Sequence, residues 1–449
     1  MRVGVILTVL IAVASLTGCH GSEATFVLSK ETDELIREAR KPVEKAVLEH
    51  FGTPQKLVAW EKLPIDYGKV EKASADIAAD KASSEYARIS KINHYSTSHE
   101  IPGWQLIDGR NLYMRHCLHC HGVSGDGNGP TAPYLNPRPR DYRRGEFKFT
   151  STAVGVKARR DDLHLVLQNG IPGTSMPSFA LLKANELTAL VEYVRWLAMR
   201  GEFEKRLVAE LSSDYSQKAV TERVKNEKRA DIVETFNKLT TGTKDQPAEF
   251  AGTIKDVGDN LAADWLAAED EANLIVPKHP RHLPSADPQS VTRGRALYMS
   301  EKLKCYTCHG LAARGDGTST VDYWAIPGSS PEKKFEDRGL HDNWGNAIKP
   351  RNLTLGQYRG GRRPIDLYRR IYAGIKGTQM AGFATALRDA TDEKGNALND
   401  EQVAARMDRH IWDIVNYILA VPYQPQTIEP RLPMTAQAGP APAAGAPAK

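Results

Sequence analysis

Two short stretches constrain this chain more than any other feature: Cys117, Leu118, His119, Cys120, His121, and Cys305, Tyr306, Thr307, Cys308, His309. In each, two cysteines are separated by two residues and a histidine follows at once. Thiols at that spacing can each form a thioether bond to one flat macrocycle, while the adjacent imidazole reaches a metal at its centre. A dithiol redox pair or half of a zinc site uses the same cysteine spacing, but neither needs the trailing histidine. The pattern therefore predicts two covalently bound haem c groups. Cys117, Cys120, Cys305 and Cys308 hold them, and His121 and His309 ligate the two irons. The chain has five cysteines, so these four leave only Cys19 and none for a structural disulfide.

The surroundings of the two motifs repeat as well. Gly109, Arg110, Asn111, Leu112, Tyr113, Met114 precedes the first, and Gly294, Arg295, Ala296, Leu297, Tyr298, Met299 precedes the second, with five of six positions identical. That is an internal duplication of one domain. The step from this glycine to the first cysteine is 8 residues in copy one (109 to 117) and 11 in copy two (294 to 305), so residues 300–304 must absorb about one extra turn. A glycine-rich loop follows each motif, Gly122 to Gly127 and Gly310 to Gly317. Such a loop permits close approach to a flat cofactor or serves as an ordinary turn.

Further on, Pro139, Arg140, Asp141 answers to Pro350, Arg351, Asn352. Arg140 and Arg351 either pair with haem propionates or lie in solvent. The histidine-to-proline distance is 18 residues in copy one (121 to 139) and 41 in copy two (309 to 350). Copy two thus carries about 23 extra residues, roughly 321–346, including Trp324, His341 and Trp344. A loop of this kind docks a partner, covers a cofactor edge or is decoration.

A six-coordinate iron needs a second axial ligand. Gly170, Ile171, Pro172, Gly173, Thr174, Ser175, Met176 aligns with Gly374, Ile375, Lys376, Gly377, Thr378, Gln379, Met380, each run following a short helix that begins near Asp162 or Asp366. Methionine is usually core filler, but the repetition marks Met176 and Met380 as distal ligands. Thioether ligation favours ferrous iron and raises the reduction potential relative to a bis-histidine site. Copy two lacks the proline that follows Met176. A closing helix comes after each methionine: Leu187, Leu190, Val191, Val194 and Leu197 form one stripe that stops near Gly201. Met407, Ile411, Ile414, Val415 and Ile418 form the other, with Asn399 and Gln402 as its capping box and Pro422 as its stop. Tyr193 is expected over Gly109, and Tyr417 over Gly294, where two helices cross closely.

With these residues in place, both segments resemble class I cytochrome c domains, over about 104–200 and 290–421. The resemblance implies a small helical fold built from an N-terminal helix, the Cys-x-x-Cys-His turn, a methionine loop and a C-terminal helix. It also implies that one nitrogen of the proximal histidine donates to a proline carbonyl, for which Pro130 or Pro137 would serve in copy one.

The fold expected for the whole chain is therefore mainly α, with two such domains (101–200 and 287–423) joined by a helical linker (201–286). Leu207, Leu211, Val220, Val224, Ile232 and Phe236 are the linker's apolar anchors. A helical region lies before the first domain, within 19–100. In it Leu35, Ile36, Ala39, Val43, Ala46 and Val47 recur at helical spacing, and Pro42 either interrupts that helix or starts a second. A further helix is expected near 77–89, and His94 and His99 read as loop residues. The Pro- and Ala-rich end, 424–449, reads as a disordered tail.

At the start, Met1 and Arg2 precede an apolar run from Val3 to Ala14 that is shorter than the roughly 20 residues a membrane span requires. Leu16, Thr17, Gly18 and Cys19 resemble the lipobox of bacterial lipoprotein signal peptides. In that family residues before the cysteine, here 1–18, are removed, and its thiol takes a diacylglycerol. The tether from about Gly21 to Leu28 would then hang the protein from a membrane on the periplasmic face of the bacterial envelope. The formal charge is only +5 at 449 residues, with basic and acidic side chains interspersed, which gives no support to nucleic-acid binding.

The function expected is that of an electron carrier, not itself an enzyme, passing single electrons between membrane and periplasmic complexes such as a quinol-oxidising complex or a terminal oxidase. The rival expectation is catalytic: a dihaem peroxidase, or the cytochrome subunit of a dehydrogenase or terminal oxidase.

Overall fold

The structure is a computed structural model that describes residues 24–68, 103–242, 248–278, 287–326, 329, 331–392 and 394–424. Cys19 with its leader, the helix expected at 77–89, His94, His99 and the tail beyond 424 lie outside the described residues.

The protein is mainly α-helical, and among the described residues extended backbone pairs only as isolated bridges. In chain order the principal helices are α1 (Arg37–Phe51), α2 (Trp104–His116), α3 (Arg160–Asn169), α4 (Ala184–Tyr215), α5 (Gln217–Arg223), α6 (Arg229–Thr241) and α7 (Glu249–Ala267). After these come α8 (Pro288–Tyr298), α9 (Pro364–Ala373) and α10 (Asp400–Ala420).

In each repeat the frame is one helix pair, α2 on α4 and α8 on α10, crossing where the first helix carries glycine. A β-carbon on Gly109 would meet the carbonyl of Ala189 and come within 2.7 Å of the Tyr193 β-carbon. One on Gly294 would meet the carbonyl of Asp413 and come within 2.8 Å of the Tyr417 β-carbon. The tyrosines expected over these glycines are there, and each stacks obliquely on the tyrosine four residues after its glycine, Tyr113–Tyr193 and Tyr298–Tyr417, both at 5.2 Å. The α10 capping box is also present: Gln402 N donates to Asn399 Oδ1, and Asn399 N to Gln402 Oε1, both at 2.9 Å.

Several boundaries differ from the sequence reading. The closing helix of copy one does not stop at Gly201: α4 runs 32 residues without a break. Gly201 is there for contact, since a β-carbon would lie 2.7 Å from Arg143 Cγ and closer still to the Arg143 backbone. Nor does Pro42 divide α1, which passes through it with Ala39, Val43, Ala46, Val47 and Phe51 all buried. Burial of that face outweighs the one backbone hydrogen bond that proline forfeits. The tether is shorter than expected, because Val27 N donates to Ser124 Oγ (2.6 Å), Ser29 N donates to Glu204 Oε1 (2.6 Å), and the Arg200 guanidinium lies 4.4 Å from the Phe26 ring.

The N-terminal region and the linker share one hydrophobic core with α2, α3 and α4, while α8, α9 and α10 enclose a second. Of the expected linker anchors Leu207, Leu211, Val220, Ile232 and Phe236 are buried in the first core, but Val224 is exposed. The linker's last described stretch crosses to the second core through Ile275, whose N–H donates to Ser151 O (2.8 Å) and whose carbonyl accepts from Arg369 Nε (3.2 Å).

Because α1, the 57–67 segment and α7 cover the outer side of α4, charges on that helix are buried too. Glu192 and Arg195 are both fully buried. Glu192 takes Arg160 Nε at 2.5 Å and Arg195 Nη1 at 3.3 Å, and accepts from the Asp66 N–H at 3.0 Å. Glu269, just past α7, takes Arg160 at 3.1 Å and Arg195 at 3.6 Å. A buried carboxylate is tolerable only when paired and hydrogen-bonded in this way, so the network specifies how α3, α4 and α7 meet.

Candidate functional site

The first Cys-x-x-Cys-His turn begins where α2 ends. Cys117 closes that helix, and Leu118–His121 form a single turn stopped by Gly122. Tyr113, on the last turn of α2, donates its hydroxyl to Gly122 O at 2.8 Å. The second turn is built alike: Cys305–His309 is stopped by Gly310, whose carbonyl accepts from Tyr298 Oη at 2.6 Å. The extra residues before it form turns after α8 and end on Lys304, whose φ is +50°.

His121 Nδ1 lies 3.2 Å from Arg140 O, and His309 Nδ1 lies 3.4 Å from Arg351 O. A carbonyl only accepts, so both Nδ1 atoms carry hydrogen and Nε2 keeps its lone pair free for a metal. Burial pushes His121 down to about 4, and His309 is lowered for the same reason, so both rings are neutral near pH 7. The carbonyl used is that of the arginine in each Pro-Arg pair, not Pro130 or Pro137. The copies differ behind the ring: Tyr142 stacks on His121 at 4.7 Å, and Leu353 occupies the matching sequence position in copy two.

All four motif cysteines are unpaired. Burial pushes the thiols of Cys117 and Cys305 up to about 12, the opposite of what a thiolate nucleophile or redox dithiol requires. Among the described residues no group of three or more His, Cys, Asp and Glu converges as a metal site. Uncharged thiols beside an imidazole with a free Nε2 fit a metal that arrives inside its own macrocycle.

The methionine loops superimpose bond for bond. Ile171 N donates to Met176 O (3.0 Å), Thr174 Oγ1 to Ile171 O (2.8 Å), and Met176 N to Thr174 Oγ1 (3.1 Å). Their counterparts are Ile375 N to Met380 O (2.9 Å), Thr378 Oγ1 to Ile375 O (2.7 Å), and Met380 N to Thr378 Oγ1 (3.2 Å). Both methionines are half-buried, and Met176 packs on the first core. The missing proline after Met380 leaves these three hydrogen bonds in place.

Two curated proteins, "Cytochrome c 2.1" of Caenorhabditis briggsae and "Cytochrome c type-1" of Ascaris suum, are each 31% identical to this chain over 101 residues, 21% of this chain and 90% of their own length. The chain belongs to the cytochrome c family. The Cytochrome c family model matches residues 106–198. Among solved structures, a chain of the reducing HAO-like protein complex of Kuenenia stuttgartiensis is similar at 21% identity and a TM-score of 0.41, covering 70% of this chain and 95% of that one. Membership in the cytochrome c family carries with it covalently bound haem c and haem-based electron transfer.

Arg140 and Arg351 do not lie in open solvent. The Arg140 guanidinium is buried and stacks on Trp344 at 3.7 Å. Arg351 donates through Nε to Gln357 O at 2.8 Å and through Nη2 to Gln357 Oε1. Sequence reasoning missed the role of Trp344, because nothing local ties it to a residue some two hundred positions away.

Proposed function

We propose that this cytochrome c is a dihaem electron carrier, with one haem bound by Cys117 and Cys120 and the other by Cys305 and Cys308. His121 and His309 are the proximal ligands, and Met176 and Met380 the distal ones. The observation that carries the reading is the duplication: two Cys-x-x-Cys-His turns, each with a neutral histidine whose Nδ1 is occupied by an arginine carbonyl, and two methionine loops with the same internal bonds. The bound haem supplies a one-electron iron couple. The chain's own residues do the rest. The Arg140 and Arg351 carbonyls orient the imidazoles, the tyrosine–glycine bonds hold each attachment turn against its helix, and Met176 and Met380 would supply a thioether to each iron.

A histidine and a methionine at each iron would leave no position open to peroxide, which favours a carrier over a peroxidase. Cys19 is the proposed lipid attachment, placing the protein on the periplasmic face of a bacterial membrane. Its proposed partners are redox complexes there, a quinol-oxidising complex or a terminal oxidase; among the described residues no helix is long and apolar enough to cross a membrane.

The test is haem stoichiometry on boiled, denatured protein. Two haems retained per chain, with both thioether pairs found by peptide mass, is the expected result, and one haem or none rejects the reading. Steady peroxide turnover by the purified protein would favour the catalytic alternative.

A further inference from the structure

The seam between the two repeats is built around Arg140. Its carbonyl faces His121, but its side chain points away from its own repeat and lies over the Trp344 ring, with Arg144 on the same ring at 5.5 Å. Trp344 belongs to the extra segment of copy two, in a tight turn closed by Asp342 Oδ1, which accepts from Trp344 N (3.1 Å) and Asn346 N (3.0 Å). That turn is fastened on both sides. Asn343 N donates to Gly377 O at 3.1 Å and Gln379 Nε2 to His341 O at 3.1 Å, while Arg144 Nη1 donates to Asn343 O at 3.2 Å. Gly377 is three residues before Met380, and a β-carbon there would meet the Trp344 ring, 2.7 Å from Cη2 and closer still to Cζ3, and would lie 2.9 Å from Arg140 Nη1. An arginine rooted beside one proximal histidine thus ends at the other repeat's methionine loop.

At this meeting point donors stand without a bonded acceptor. Arg140 Nη1, Arg140 Nη2 and Trp344 Nε1 are all buried and have no hydrogen-bond partner. Asp342, Glu146 and Asp141 are near enough to favour the cation, yet none of them bonds to its terminal nitrogens, and Glu146 Oε2 is itself buried without a partner. A buried guanidinium with two idle nitrogens, beside an idle indole N–H, is costly unless an anion completes it. Two oxygens on one carbon match that donor set. The pseudo-symmetric position does not share the deficit. Arg351 reaches the first repeat's loop at Gly173, where a β-carbon would lie 2.7 Å from its Nη2, but its side chain is already held by Gln357.

We propose that Arg140 and Trp344 form a carboxylate site across the seam, which takes a propionate of the haem closed by Met380, so that the first repeat sets the potential of the second repeat's haem. The proposal rests on the dihaem reading above. It also accounts for the extra segment of copy two, which carries the indole N–H to the seam and locks the two repeats in the register that lets one arginine serve both. A cation held at a propionate stabilises the added electron, so its loss lowers that haem's potential.

The test is an optical redox titration of the full-length holoprotein. It is done in the wild type and on a Met380→His background, where bis-histidine ligation moves the second haem's couple well below the first. Arg140→Gln is expected to keep two haems and to shift only the low, Met380→His couple. The ferric-to-ferrous ratio at fixed ambient potential should rise about tenfold, a 59 mV shift for one electron. Arg140→Lys should recover part of the shift, and Trp344→Phe, which keeps the ring and loses the N–H, should move the same couple in the same direction by less. Two haems present with neither couple moved by Arg140→Gln or Trp344→Phe overturns the proposal, as does a shift confined to the other haem or one caused equally by Arg351→Gln. If Arg140→Gln fails to assemble, Arg140→Lys and Trp344→Phe decide the matter. A wild type holding one haem rejects the dihaem reading and this proposal with it, whereas unmoved couples in a two-haem protein reject this proposal alone.

Discussion

Gly109 stands directly beneath the carbonyl oxygen of Ala189, with no room between them for a methyl group. The same relation holds between Gly294 and Asp413, so the crossing of two helices in each repeat depends on one absent side chain. The obstacle is backbone on a long buried helix, which cannot rotate away. Gly109→Ala and Gly294→Ala should each cost about 1–3 kcal/mol or more, as overpacking does. Denaturant unfolding followed by helical circular dichroism checks this, and a cost below about half a kilocalorie at either site would show that the crossing is looser than described.

Tyr113→Phe and Tyr298→Phe remove the hydroxyls that tie each attachment turn to its preceding helix. Each leaves a buried glycine carbonyl without that donor, a loss of about 1–2 kcal/mol. Burial holds both phenols protonated well beyond the ordinary tyrosine range, so the loss should be the same at pH 6 and pH 9. A loss that disappears at pH 9 would mean the phenols ionise and are not the donors assigned.

Met176→Ala and Met380→Ala test the two proposed distal ligands separately. Each variant should bind carbon monoxide at one reduced haem per chain while the other stays closed, read from the carbon monoxide difference spectrum. Full binding at both haems of the wild type would remove the methionines from their assigned role.

Lys376 replaces the proline of the first repeat's loop and crosses the seam, its ammonium donating to Val156 O and to Thr152 Oγ1 (3.3 Å). Burial pulls it from 10.5 down to about 8, so between those values the unfolded chain binds the proton more tightly than the folded one. The charged lysine therefore opposes folding below pH 8, and the penalty fades as the pH rises towards 10.5. Relative to wild type, Lys376→Met should lose on the order of 2–3 kcal/mol of its advantage between pH 7 and pH 10. Urea titrations at a series of pH values give the difference directly, and a flat profile contradicts the burial.

Much of the site was legible in the residues themselves, because its chemistry is local. A thiol pair and an imidazole on one turn, a glycine turn before a methionine, and a tyrosine four residues after a glycine are relations that short spacing conveys. Repetition then separates meaning from accident: one Gly-Ile-x-Gly-Thr-x-Met run is a loop, and two at matching places are a design. The acceptor for each histidine was misplaced onto proline because a carbonyl belongs to the backbone, and residue identity does not reveal which peptide unit turns toward a ring. Gly201 was misread for a related reason: a glycine that ends a helix and one that admits a neighbouring chain look identical in sequence.

From its sequence alone this chain determined that it would be helical, that it carries the cysteine, histidine and methionine pattern of the family twice, and which short helices and turns would carry those residues. Only tertiary structure decided that the N-terminal region and linker share a core with the first repeat, that Glu192 and Arg195 are buried as partners, and that Trp344 meets Arg140 across the seam. Periodicity reports what a segment does along its own axis. Whether a charge is buried or an arginine left without an acceptor depends on surfaces contributed by residues far along the chain, and those surfaces exist only once the helices have packed.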